Sequence, residues 1–315
     1  MKVEPLFLDP VFKERIWGGT KLRDSFGFDI PSNTTGEAWT VSAHENGQSI
    51  VRNGQYKGQK LGDLWNKHPE IFGEQGSEFP LLIKILDASK DLSIQVHPSD
   101  DYARVYENGG LGKTECWYIL ECDPDAEIVF GHHAETKEQL KKLIQSGDWE
   151  SLLTRVKVSK GDFFYVPSGT LHALGKGIVV LETQQSSDIT YRVYDYDRRD
   201  DQGNLRELHL SKAIDVLNVP NKIQTNSFTF ETMEFIKKTT FISNSYFTVQ
   251  KLDISGTAEF EHSISFIIYS VIEGNGVLEF DKSQYPLVKG DTFIIPVNQC
   301  GYKISGDIEL ILSKL

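Results

Sequence analysis

Cysteine and methionine are scarce in this chain of 315 residues, with three cysteines (Cys116, Cys122 and Cys300) and two methionines. An odd cysteine count without close pairs excludes a disulfide framework and a cysteine-built structural zinc site. It fits reduced thiols in a cytoplasmic protein. No apolar run approaches the roughly 20 residues that cross a bilayer, so no membrane partner is expected. The opening segment, Met1 to Pro10, is too short in its apolar run and too acidic to be a signal peptide. Basic residues are in deficit, with 33 Lys and Arg against 45 Asp and Glu, a formal net charge of -12. With no basic run interleaved with aromatics, this argues against a nucleic-acid surface. An anionic small molecule stays allowed, because a pocket can be locally positive in an acidic chain.

What the chain has in quantity is short extended pieces separated by turns. Apolar residues make up 39% and charged residues 25%, which is ordinary for a soluble globular protein with a large core. Ala38 to Ala43, Ser49 to Arg52, Leu81 to Leu86, Ile94 to His97, Glu115 to Leu120 and Glu127 to Phe130 read as strands. Leu61 to His68 reads as a short helix. Thr136 to Gln145 reads as a helix capped by Thr136, with Trp149 to Leu153 adding a turn or two. Strands return at Val156, Phe163, His172 and Ile178. Leu208 to Leu217 reads as helix and Pro220 to Ser227 as a linker.

A weak internal repeat relates Lys160-Gly-Asp-Phe-Phe-Tyr-Val-Pro167 to Lys289-Gly-Asp-Thr-Phe-Ile-Ile-Pro296. In the first copy Gly169 and His172 follow the proline; in the second, Asn298 and Gly301 stand at those offsets. The fold element is duplicated and the histidine is not. The repeat predicts two β-barrel or sandwich domains, only one of which carries a metal, with Gly301 lying where His172 lies.

The chemistry concentrates at the first copy. Gln95 and His97 lie two residues apart, a spacing that points both to one face of a strand. With Glu115 and His172 they form a Gln, His, Glu, His set on a predicted β scaffold, a candidate divalent-metal site. A buried carboxylate at Glu115 is costly unless paired or coordinated. Imidazole nitrogens favour zinc or another late first-row ion, while the Gln and Glu oxygens leave the metal's identity open. Cys116 follows Glu115 and is expected to point away from the site. His44, His68, His132 and His133 read as surface or packing residues. In the strand after His172, Arg192 and Tyr194 are expected to share a face. Arg192 is the candidate for gripping a phosphate or stabilising developing negative charge. Its competing reading is a surface salt bridge to Asp195 or Asp197. Lys113, two residues from Glu115, places an ammonium beside the ligand set.

These blocks resemble the type I mannose-6-phosphate isomerases in their short bacterial form. The resemblance rests on Glu14 to Leu22, Gly36 to Gly47, Phe79 to Ala88 leading into Gln95 to Pro98, Gly112 to Tyr118, Gly161 to Gly175, and Gln184 to Arg192. It implies a mainly β fold of two cupin-like jelly-roll domains with a small helical insertion near 136–153. The first domain would span 1–220 and carry catalysis; the second, 221–315, would be a degenerate cupin. The resemblance also implies one zinc ion per chain on His97, Glu115 and His172, with Gln95 as a further ligand. The active-site arginine would be Arg192, the active-site lysine Lys113, and the phosphate-associated position Ser93. The implied reaction interconverts D-mannose 6-phosphate and D-fructose 6-phosphate through a cis-enediolate. Lys113, Glu182 and a zinc-bound water remain open as its base, and an ammonium at Lys113 is expected to have a lowered pKa. A cytoplasmic monomer or weak homodimer acting on a phosphorylated hexose is expected. An isomerase or epimerase of another sugar phosphate, an iron-dependent dioxygenase and a non-catalytic sugar-binding protein are the competing readings.

Overall fold

In the computed structural model, residues 3–73, 76–199, 202–222, 227–261, 263–297 and 301–315 are described. Cys300 and Asn298 lie outside them, as does part of the expected linker. Strands dominate and arrange in three sheets. A six-stranded sheet contains Leu81–Ala88, Glu115–Cys122, Phe163–Val166 and Ile178–Gln185. A five-stranded sheet contains Ile94–Val96, Glu127–His132, His172–Leu174 and Tyr191–Tyr194. Leu86, Trp117, Ile119 and Val180 of the first pack against Ile128, Phe130 and Leu174 of the second. Burial of these side chains drives the two sheets face to face.

The expected helices form. Lys137–Ser146 starts where Thr136 accepts a hydrogen bond from the Gln139 amide, and ends at Gly147 in the left-handed conformation. Trp149–Leu152, Leu61–Lys67 and Leu210–Val216 are the other predicted helices. Asp100–Tyr106 is an additional short one, capped by Ser99.

The last third folds into a nine-stranded sheet, which the N-terminal strand Leu6–Asp9 joins by pairing Leu6 with Ile294. Its long strands Thr248–Phe260, Ile267–Phe280 and Tyr302–Lys314 contain Gly256, Gly274 and Gly306, all at positive φ. At Gly274 an added Cβ would lie 2.1 Å from the Asp307 carbonyl oxygen, so the close strand approach there needs glycine.

The repeat holds in three dimensions. Gly161 and Gly290 sit at φ of 95° and 94°. Gly161 donates to the Ile119 carbonyl and Gly290 to the Val271 carbonyl. Asp162 accepts from the Ser159 amide, as Asp291 does from Val288. The copies differ where the first carries its candidate ligands. His172 lies in register between Gln95 and Phe130, whereas Tyr302 lies between Phe260 and Phe280. Val166 faces Glu115, and Ile295 faces Ile267. Phe260, Ile267 and Tyr302 therefore take the ladder places of Gln95, Glu115 and His172. The residue in His172's place is Tyr302 rather than Gly301, a shift of one residue from the sequence offset. An apolar cluster, with Phe260 and Tyr302 rings stacked at 5.0 Å, fills what is a polar centre in the first domain.

The two domains meet with approximate twofold correspondence. Lys160 of the first turn is 3.1 Å from Glu273, while Lys289 of the second turn is 3.5 Å from Glu121. Thr183 faces Cys116 and Ser313 faces Ile268 in the two ladders, and their buried hydroxyls meet at 3.1 Å. Such reciprocity is the signature of an isologous contact.

Candidate metal and substrate site

Three short backbone devices bring the site together. Gly169 turns the chain before His172, with φ of 82° and its amide donating to the His97 carbonyl. His172 then enters the ladder beside Gln95. Glu115 begins its strand paired to Gln184 and Val166.

His97, Glu115 and His172 are almost completely buried, at 1%, 0% and 1% exposure. The two imidazole Nε2 atoms lie 3.1 Å apart, and each is 3.4 Å from a Glu115 oxygen. The Nδ1 atoms settle the tautomers. His97 Nδ1 lies 2.8 Å from the Ile189 carbonyl oxygen and His172 Nδ1 lies 2.9 Å from that of Thr170. A carbonyl only accepts, so both Nδ1 atoms carry protons and both Nε2 lone pairs point into the same space. Burial, with Lys113 next in weight, pushes the His97 imidazolium down to about 3, and burial lowers His172 as well. Neither ring resolves the lone-pair conflict by protonating. Glu115 has a cationic neighbour in Lys113, and its two oxygens turn toward the two rings. Two facing lone pairs and a carboxylate beside them form a donor set that a cation fits. The Gln95 amide reaches the edge of this centre, 3.4 Å from His172 Nε2. Among the described residues, no other His, Cys, Asp and Glu cluster converges this way.

Lys113 lies 2.6 Å from Glu115 and 3.1 Å from His97. Burial draws its pKa down, but Glu115 and Glu182 outweigh burial and push it up. The expected depression is thus reversed among the protein groups alone. Burial draws the Glu115 carboxyl up, yet the Lys113 ammonium beside it holds it well below the usual range. Glu182 goes the other way, raised by burial and by repulsion from Glu115. Its Oε2 accepts from Trp117 Nε1 at 3.0 Å, and Lys84 lies 3.3 Å from its Oε1.

A cavity of about 350 Å³ adjoins this centre. Ser93, Gln95, Lys113, Glu182 and Arg192 all line it, so sequence-singled residues from four separate segments converge. Arg192 is not tied to Asp195 or Asp197 in the structure; Asp195 is held by Arg198 and Arg206. Arg192 donates from Nη1 to the Glu207 carbonyl at 2.8 Å, and its buried Nε has no hydrogen-bond partner among the described residues. A register shift separates Arg192 from Tyr194. Tyr194 stacks on Trp149 at 4.4 Å instead of joining Arg192 at the cavity.

The cavity also contains Arg15, Lys84, Asp188 and Arg206, none of them singled out from sequence. Lys84 carried a usable signal: it is a cation inside a largely apolar strand, and that strand is buried at all eight positions. Arg206 lies in a polar segment and carried none. A larger cavity of about 480 Å³ lies across Asp188 and Ile189, but no Lys or Arg lines it.

A family model described as the type I phosphomannose isomerase catalytic domain matches residues 6–119, and one described as the mannose-6-phosphate isomerase cupin domain matches 237–315. The chain is 55% identical over its full length to mannose-6-phosphate isomerase ManA of Bacillus subtilis, also covering all of that protein. It is 50% identical to a mannose-6-phosphate isomerase of Streptococcus mutans, over 98% of each chain. A crystal structure of the B. subtilis mannose 6-phosphate isomerase superposes with TM-score 0.98 at 54% identity, covering 99% of this chain and 100% of that one. The apo form from Salmonella typhimurium, at 18% identity and TM-score 0.80 over 99% of both chains, shares the fold.

Proposed function

The chain belongs to the type I phosphomannose isomerase family and is an aldose–ketose isomerase, and we propose that it interconverts D-mannose 6-phosphate and D-fructose 6-phosphate with one zinc ion per chain. The observation that carries this reading is the pair of unprotonated, facing Nε2 atoms beside Glu115, at the edge of a cavity lined with cations. His97, Glu115 and His172 would hold the ion, with Gln95 beside them. Two nitrogens and a carboxylate suit zinc better than magnesium or calcium. Bound there, the ion supplies Lewis-acid polarisation of the sugar's carbonyl.

The chain's own groups do the rest. The open-chain aldose must lose its C2 proton and gain one at C1, while a hydroxyl proton moves from O2 to O1. The reaction passes through a cis-enediolate. Glu182 fits the proton carrier: its raised pKa brings it toward the working pH, and it lines the cavity beside the ligand set. The Arg192 Nε, buried and unpartnered, is a donor available to the negative charge that develops on the enediolate oxygens. Lys113 orients the sugar oxygens beside the ligand set, and Ser93 with the surrounding cations receives the phosphate. The protein is expected to act as a soluble cytoplasmic enzyme, monomeric or weakly dimeric.

The test offers a panel of phosphorylated aldoses and follows the product of each. Mannose 6-phosphate turning over to fructose 6-phosphate faster than any other member is the expected result. Preferred turnover of a different aldose phosphate, or binding without turnover, would sink the assignment.

A further inference from the structure

Lys113 and Glu115 carry opposite charges at the centre of the site, yet only Glu115 belongs to a strand, Glu115–Cys122. Residues 112–114 lie outside any ladder, so sheet pairing does not place Lys113. Three consecutive amides are instead held one by one. Gly112 N donates to Asp100 Oδ1 at 2.8 Å, Lys113 N to the Pro98 carbonyl at 3.0 Å, and Thr114 N to Gln185 Oε1 at 2.9 Å. Gln185 also donates its own amide N–H to the Thr114 carbonyl at 3.1 Å, which clasps Thr114 at both ends. Its Nε2 donates to the same Asp100 oxygen at 3.0 Å. Gln185 is buried, at 7% exposure. Gly112 packs so closely that an added Cβ would lie 2.4 Å from the Asp100 nitrogen, so the segment cannot settle inward.

The second domain lies against this clasp. Tyr246, in the turn between strands Ile236–Ser243 and Thr248–Phe260, brings its phenol beside Thr114 and Asp100. That turn is itself braced, with Asn244 Oδ1 accepting from the Tyr246 and Phe247 amides at 2.8 and 3.0 Å.

We infer that Gln185, joined to Asp100 and to both ends of Thr114, is a positioning residue that sets Lys113 and Glu115 at the catalytic centre. It touches neither substrate nor reacting atoms. It acts by fixing the backbone on both sides of Lys113 and one residue before Glu115. The second domain has apolar residues at the equivalent ladder places, and on this account its contribution is the Tyr246 side chain set beside the clasp. The inference rests on the proposed zinc-dependent isomerisation.

The test compares Gln185→Leu and Tyr246→Phe with the wild-type protein in three measurements: kcat and KM for mannose 6-phosphate, zinc affinity by competition with a chromophoric chelator, and thermal unfolding. Gln185→Leu is expected to lose about 10- to 100-fold in kcat and in zinc affinity, the range for groups that orient metal ligands, with little change in KM. Tyr246→Phe, which keeps the ring and removes one hydroxyl, is expected to show a smaller loss of the same pattern with an unchanged unfolding midpoint. Folded Gln185→Leu protein with wild-type kcat and zinc affinity would overturn the inference. So would a loss of activity that matches only the loss of folded protein. Wild-type protein without turnover would instead refute the proposed reaction, and zinc affinity would still report on the clasp.

Discussion

Arg192 shows how a single side chain can decide between roles. Its Nη1 is satisfied by the Glu207 carbonyl while its buried Nε has no partner among the described residues. A buried donor left unpaired costs free energy unless something occupies it during function. If that occupant is charge developing in the transition state, Arg192→Ala lowers kcat more than it raises KM. The expected loss is about 3 kcal/mol, the scale of a deleted oxyanion donor. Steady-state kinetics check it: a rise in KM with kcat intact would make Arg192 a ground-state phosphate holder instead. At this scale the sequence was informative where ligand types recur at strand spacing, as at Gln95 and His97. It was silent for Arg206, whose place at the cavity depends on a grip on Asp195. It misled at Tyr194, because strand alternation does not announce the register shift that follows Arg192.

At the scale of elements, the turn before His172 matters more to the site than the turn that starts the repeat. Gly161 and Gly169 both have positive φ, at 95° and 82°. An added Cβ at Gly161 meets only the Tyr118 hydroxyl, at 3.9 Å. At Gly169 it would lie 2.5 Å from Asn218 Nδ2 and 2.9 Å from the Val216 carbonyl oxygen. Gly161→Ala is therefore expected to cost about 1–2 kcal/mol of backbone strain and to leave turnover by the folded enzyme unchanged. Gly169→Ala must also displace Asn218 or the chain at Val216, disturbing the bond from Gly169 to the His97 carbonyl. Greater destabilisation with lower kcat is expected, read from urea unfolding and turnover side by side. Equal effects of the two substitutions would contradict the argument. Helix and strand positions were legible because caps and apolar periods are local signals, as Thr136 shows. The one-residue shift from Gly301 to Tyr302 was not, because register is set by partners distant in sequence.

At the scale of the molecule, the reciprocal domain contact makes its own prediction. The pair Lys160–Glu273 is largely exposed, at 58% and 44%, and Lys160→Ala is expected to change stability by less than about 1 kcal/mol. The Thr183 and Ser313 hydroxyls are buried against each other, so Thr183→Val strands one of them at a cost of about 1–3 kcal/mol. Thr183→Val with Ser313→Ala is expected to cost less than the two single changes summed, as a double-mutant cycle in urea would show. The duplication was readable from Lys160 to Pro167 and Lys289 to Pro296, but the pairing of Thr183 with Ser313 across the domains was not, since nothing local marks either residue. All of these levels serve one centre, where two neutral imidazoles face each other through bare Nε2 atoms beside a carboxylate. The most direct test strips the protein with a chelator, adds zinc in measured fractions of an equivalent, and follows conversion of mannose 6-phosphate to fructose 6-phosphate. The account predicts negligible turnover of the stripped protein and activity rising linearly to a plateau at one zinc per chain. Full activity without metal, or no recovery when zinc is bound, would contradict it.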